Sequence, residues 1–225
     1  ERERMTKAQY AQEYLGEFID ELMQFFSSDL IRSCMKPREV SSSLLHGDLF
    51  LGVDVARMGT DETALVSVAR QNKEFLKMFD LEITTKTYLT ETADLIVMKE
   101  KKFNYKKIYI DTGGVGAGVF DILMRNRDTK TKIISIDNAK KSLTRDVKQK
   151  KRILKEDLYS NLLALMQAGK IDLFDDPEIF LSLKSIQYEY TDAGIKIYGN
   201  YSHITEALVR SCWCIQDKAL NIWCR

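Results

Sequence analysis

The sequence has no Cys-x-x-Cys pair and only two histidines, His46 and His203. The usual zinc sites need paired cysteines and histidines at short intervals, so zinc is not expected. Its four cysteines, Cys34, Cys212, Cys214 and Cys224, read as reduced core thiols of an intracellular, reducing compartment. No run of about 18 apolar residues exists, so no membrane is expected among the partners. No signal peptide is visible. The first residue is not methionine, as expected of a fragment of a longer protein. No Gly-x-x-x-x-Gly-Lys-[Ser/Thr] loop occurs in the 225 residues, so the chain as given is not expected to power a motor. Charge of one sign is also missing: the net charge of +1 gives no global bias toward nucleic acid. The distribution is uneven, however. Residues 140–155 hold eight basic side chains and one acid, which is either a solvated face or a phosphate-contacting run.

What is present is enough for one large α/β domain plus an extra segment: 44% of the residues are hydrophobic. Residues 6–33 have the periodicity of an amphipathic helix, with Tyr10, Tyr14, Phe18, Leu22 and Phe25 at spacings of three or four. Residues 36–48, with one of only two prolines and a serine run, read as a linker. This gives an N-terminal helical and linker segment over 1–47 and a domain over 48–225. The domain begins with three strands near 49–55, 63–70 and 74–83, in hairpin succession. A helix near 87–102, a strand at 106–111, a helix at 115–125 and a strand at 131–137 follow. Residues 152–168 predict a helix stopped by Gly169. A strand over 171–174, a short helix over 176–185, a hairpin turning at 192–194 and a helix over 203–217 complete the order. A meander pairs antiparallel, whereas strand–helix alternation pairs parallel. The two together predict a mixed sheet with helices on both faces.

The chemistry lies at strand ends. In LFLGVDVARMGTDETALVSV, residues 49–68, an apolar run ends on Asp54, and the turn that follows carries Asp61. KKIYIDTGG ends another strand on Asp111. A carboxylate on a buried strand is costly unless it is paired or binds a metal. Two side by side repel unless a cation neutralises them. Hard divalent ions such as Mg²⁺ or Mn²⁺ prefer such oxygen ligands. Two of them about 3.5–4 Å apart can activate a water and stabilise the leaving oxygen of a phosphodiester. A metal-free site of this kind should be strained, so Asp54→Asn should melt no lower than the native protein in EDTA. Glu206 is the candidate third acid, on a helical face shared with His203 and Arg210 and free to point away from the core; an ordinary exposed glutamate is the competing reading. Asp61 is either a metal ligand or a turn cap. His203 either contacts phosphate or is a surface histidine. Lys148, Lys150, Lys151 and Arg152 are candidate DNA contacts, and Asp121 and Asp137 read as structural.

Over residues 49–215 the chain resembles the nuclease domain of the large terminase subunit, the DNA-packaging motor protein of tailed viruses. GVDVARMGTDETA is similar to that family's first motif and IYIDTGGVGAGVFD to its second. KKRILKEDLYSNLLALMQAGKIDL, IQYEYTDAGIKIYG and HITEAL resemble the rest, in order. The usual closing Asp-Ala-Leu reads Glu206-Ala207-Leu208 here, after Thr205. TKAQYAQEYLGEF resembles the segment joining the family's ATPase domain to its nuclease domain, so 1–47 would be the end of an ATPase domain. The resemblance implies a ribonuclease-H-like fold and metal-dependent cleavage of double-stranded DNA. Asp54, Asp111 and Glu206 would be the catalytic metal ligands. It also implies, as partners, an ATPase domain in the same polypeptide, a small terminase subunit and a portal, in the host cytoplasm. Three other readings compete: an actin/hexokinase-like ATP-binding phosphotransferase, whose first strand also ends in an Asp and a Gly/Thr loop; a Holliday-junction-type resolvase; and a silent DNA-binding module.

Overall fold

The strand that carries Asp54 sits near the centre of a seven-stranded sheet. The computed structural model describes residues 23–56, 61–72, 74–137, 154–191 and 194–217. Its strands are β1 (Met35–Lys36), β2 (Asp48–Asp54), β3 (Glu62–Arg70), β4 (Leu76–Thr85), β5 (Lys107–Asp111), β6 (Ile133–Ile136) and β7 (Ile171–Phe174), in the spatial order β1-β7-β4-β3-β2-β5-β6. A separate hairpin is formed by β8 (Gln187–Thr191) and β9 (Gly194–Tyr198). The meander β2–β3–β4 is antiparallel, while β5 lies parallel to β2, β6 to β5, β7 to β4 and β1 to β7. The sheet is therefore mixed, as the order of the sequence elements required. The strands β2, β5 and β6 all end at the same edge.

The helices are α1 (Ser28–Cys34), α2 (Leu89–Phe103), α3 (Gly116–Arg125), α4 (Leu154–Gln167), α5 (Pro177–Lys184) and α6 (His203–Cys212). Strand side chains alternate between faces. In β2, Leu49, Leu51 and Val53 enter one core with Ile96 of α2 and Val119 of α3. Phe50 enters the other, with Ile31 of α1, Leu158 and Leu162 of α4, Ile179 of α5 and Leu208 of α6. Helices thus cover both faces of the sheet, and the architecture is ribonuclease-H-like. Among the described residues no helix is long and apolar enough to cross a membrane.

Local signals explain most boundaries. Gly169 takes φ 61° after α4, and Lys170 donates its N–H back to the Leu165 carbonyl, which closes the helix end. Asp176 accepts from the Glu178 N–H and Pro177 fills the first turn of α5. Gly52 has a steric role: a Cβ there would lie 2.0 Å from the Ala207 carbonyl oxygen and 2.5 Å from the Ser211 nitrogen. Only glycine lets α6 cross β2 this closely.

Of the helix expected over 6–33, the described part is helical only from Ser28 onward. Gln24 bridges to Gln187, and the Phe25 N–H donates to the Ile186 carbonyl. Ser27 then caps a new, short helix, α1. Phe25, the last residue of that apolar spacing, packs edge-on against Tyr159, beside the fully buried Phe26. Residues 36–47 are mostly exposed but are anchored at two points. A 3-10 turn over Ser42–His46 buries Leu44, and Arg38 stacks over Phe174. Phe26, Ile31, Cys34 and Leu44 thus join the two cores, while residues 36–42 and 45–47 stay exposed. The helix read over 203–217 ends at Cys212 and tightens into a 3-10 turn over Trp213–Ile215. Residues 1–22 and 192–193 lie outside the described residues.

Candidate active site

Asp54 and Asp111 are the last residues of β2 and β5, whose parallel register pairs Val53 with Ile110. Asp137 immediately follows β6 on the same edge. Alternation along β2 turns Asp54 to the Phe50–Gly52 face, the face that α6 crosses. Because α6 approaches so closely at Gly52, its residues His203, Glu206 and Arg210 reach the strand ends.

The contacts are specific. His203 Nδ1 lies 2.8 Å from Asp54 Oδ2. Arg210 donates from Nη1 to Asp54 Oδ1 at 3.1 Å and from Nη2 to Asp111 Oδ2 at 2.6 Å. The same Nη2 is 3.2 Å from Glu206 Oε2. Glu206 Oε1 accepts from the Tyr159 hydroxyl at 2.7 Å and pairs with Lys155 Nζ at 3.0 Å. The Gly113 N–H donates to Asp111 Oδ1 at 2.8 Å. The Arg210 side chain has no exposed surface, and among the described residues its Nε–H has no partner. An orphaned buried donor costs about 1–3 kcal/mol, which the three carboxylates offset.

These partners set the charge states. His203 is raised above its ordinary pKa, first by its hydrogen bond to Asp54, and nearby Asp61 adds to the effect. Burial alone would raise Glu206, but Arg210, Lys155 and Tyr159 outweigh it and hold the carboxylate below its usual value. Burial pushes the Tyr159 hydroxyl well up, helped by the charge of Glu206.

A cavity of about 240 Å³ opens beside the network, lined by Asp54, Val55, Asp111, Asp137 and Gly113, Gly114 and Gly116. Gly113 is a cradle: its absent Cβ would sit 3.1 Å from Asp111 Oδ1 and 3.2 Å from Asp137 Oδ1. Asp137, read from the sequence as structural, is thus part of the cavity wall. Hard oxygen donors around a bare glycine fit a hard divalent cation, and the Arg210 guanidinium stands in for one. Even so, among the described residues no three His, Cys, Asp or Glu side chains close on one point as a ready ligand set.

Several expectations are revised by this geometry. Glu206 does not point away from the core; it is 7% exposed, because α6 is buried on every side from Ile204 to Cys212. The idea of bare acids is replaced by acids already paired with Arg210. Arg210 was visible in the sequence as sharing the His203–Glu206 face, but nothing there assigned it a role. Lys155 and Tyr159 were missed altogether, although their i, i+4 spacing places both on one face of α4. Asp61 is exposed at the start of the β3 arm and is not in the cavity wall. Cys34, Cys212 and Cys214 are free, buried thiols. Lys148, Lys150, Lys151 and Arg152 lie outside the described residues.

No family model matches the sequence, and no curated protein matches it. Solved structures do match in shape. The large terminase nuclease from thermophilic phage G20c with bound magnesium is 17% identical, with a TM-score of 0.64, covering 85% of this chain and 97% of that one. The nuclease domain of the large terminase subunit of bacterial virus Sf6 is 14% identical at a TM-score of 0.64, covering 84% and 98%. The large terminase nuclease domain of Thermus phage P74-26 is 17% identical at 0.59, covering 84% and 93%. Over nearly the full length of the domains it matches, the chain has the ribonuclease-H-like fold of large terminase nuclease domains.

Proposed function

We propose that this chain is a metal-dependent endonuclease that cuts double-stranded viral DNA concatemers during genome packaging. One observation carries the reading: two carboxylates, Asp54 and Asp111, end adjacent parallel strands beside a glycine-lined cavity, on a fold shared with metal-bound terminase nucleases. Ligands of α/β sheets lie beyond the carboxyl ends of the strands, where these acids are. Asp54 and Asp111 would hold Mg²⁺ or Mn²⁺ in a two-metal site, with Glu206 as third ligand. Such ions, when bound, supply an activated water and charge stabilisation at the leaving oxygen. His203 orients Asp54 through Oδ2, and the Gly113 N–H orients Asp111 through Oδ1. Lys148, Lys150, Lys151 and Arg152 would grip the phosphate backbone. An ATPase domain in the same polypeptide, a small terminase subunit and a portal are the partners this reading implies, inside the host cell.

The test is a plasmid-cutting assay with Mg²⁺, Mn²⁺ or EDTA. Cutting should require a divalent ion and disappear in Asp111→Asn. Native-rate cutting by that variant would remove the assignment. Stabilisation by ATP without any cutting would favour a phosphotransferase, and a preference for branched over linear DNA would favour a resolvase.

A further inference from the structure

A cation already pairs with the acidic cluster, and it is part of the chain itself. The Arg210 guanidinium touches Asp54, Asp111 and Glu206 at once, with no exposed surface. These are the same three carboxylates that the nuclease reading gives to the metal. Two cations cannot share them at full strength. The guanidinium donates along lone pairs of Asp54 and Asp111 that a divalent ion would take, and like charges this close repel. The second oxygen of Glu206 is already engaged by Tyr159 and Lys155. As they stand, no three acidic or imidazole side chains among the described residues form a ligand set. The clamp is also incomplete, since among the described residues the buried Arg210 Nε–H meets no acceptor. A guanidinium held by its two terminal nitrogens alone can be released by turning its outer torsions, without moving α6.

We propose that Arg210 is a built-in competitor for the metal: it keeps the resting site charge-paired and assembled, and it must leave the carboxylates before Asp54, Asp111 and Glu206 can ligate a divalent ion. This rests on the nuclease reading and adds a device to it. Metal affinity is lowered by the cost of displacing the arginine, and anything that draws the guanidinium away strengthens metal binding. A phosphate group has the chemistry to do so, because it accepts two parallel N–H donors from one arginine.

The test needs no cleavage. Mg²⁺ is titrated into the native protein and followed by calorimetry and by the arginine Nε–H signals in ¹⁵N NMR, with Arg210→Lys used to assign the Arg210 signal. The Arg210 signal should shift in step with the heat of binding. In parallel, Arg210→Gln and Arg210→Lys should bind Mn²⁺ at least tenfold tighter than the native protein. Two results would overturn the proposal: Mg²⁺ binding with the Arg210 signal unmoved, or folded variants that bind Mn²⁺ no tighter. If Arg210→Gln fails to fold, the native titration and Arg210→Lys still decide. Failure of the nuclease reading looks different: neither heat of metal binding nor plasmid cutting from the native protein or any variant.

Discussion

Replacing Asp54 by asparagine should lower the melting temperature even in EDTA. Bare clustered carboxylates would predict the reverse, since removing one would relieve repulsion. In this structure Asp54 receives Arg210 Nη1 at 3.1 Å and His203 Nδ1 at 2.8 Å, and the arginine is wholly buried. Hydrogen bonds to charged groups contribute about 1.5–3 kcal/mol each. Asparagine keeps the shape and one acceptor oxygen, and Asp111 and Glu206 still face the guanidinium. The loss should therefore stay below the roughly 3–5 kcal/mol of a stranded buried charge. About 2 kcal/mol is the expected loss, or roughly 4–8 °C for a domain of this size. Scanning calorimetry of both proteins in EDTA measures it. Equal or higher melting of Asp54→Asn would refute the reasoning and return the site to unneutralised acids.

Gly52→Ala should cost about 3 kcal/mol in urea unfolding and abolish cutting, because its Cβ meets Ala207 and Ser211 backbone at 2.0 and 2.5 Å; near-native stability would mean that α6 is free to shift. The pKa of His203 is raised in the folded state by Asp54. Its contribution is thus fully present below the unfolded value of about 6.5 and lost as pH rises through the folded value. In EDTA the stability gap between the native protein and His203→Gln should shrink with rising pH, and a gap that widens would contradict the pairing. Changing Lys148, Lys150 and Lys151 together to alanine should weaken binding to all DNA sequences and reduce the salt slope by up to about three units; an unchanged slope would make the run a solvated loop.

The sheet was readable because its signals are local. Apolar runs ending on Asp54 and Asp111 mark strand ends, and strand–helix alternation from 87 to 136 dictates parallel pairing of β5 and β6. Gly169 and Pro177 punctuate helices through backbone geometry alone. Local signals failed where tertiary contacts decide. Phe25 fits a helical stripe, yet it packs with Phe26 around Tyr159 from a bend ahead of α1. Leu44 is drawn into a core from a serine-rich stretch that looks like a linker. The sequence places Glu206 on a helical face free to point away from the core, and glutamate is usually exposed. Its burial follows from α4, whose Lys155 and Tyr159 are distant in sequence and supply the compensating donors. Arg210 escaped for the same reason: an arginine on a helical face says nothing about a partner 156 positions away.

Crystals grown or soaked with Mn²⁺ and measured at the manganese absorption edge test the central claim most directly. The account predicts an anomalous peak within ligand distance of both the Asp54 and the Asp111 carboxylates, with Arg210 withdrawn from them and no peak in Asp54→Asn. Manganese bound elsewhere, or none at the strand ends at saturating concentration with Arg210 still seated between the two acids, would contradict it.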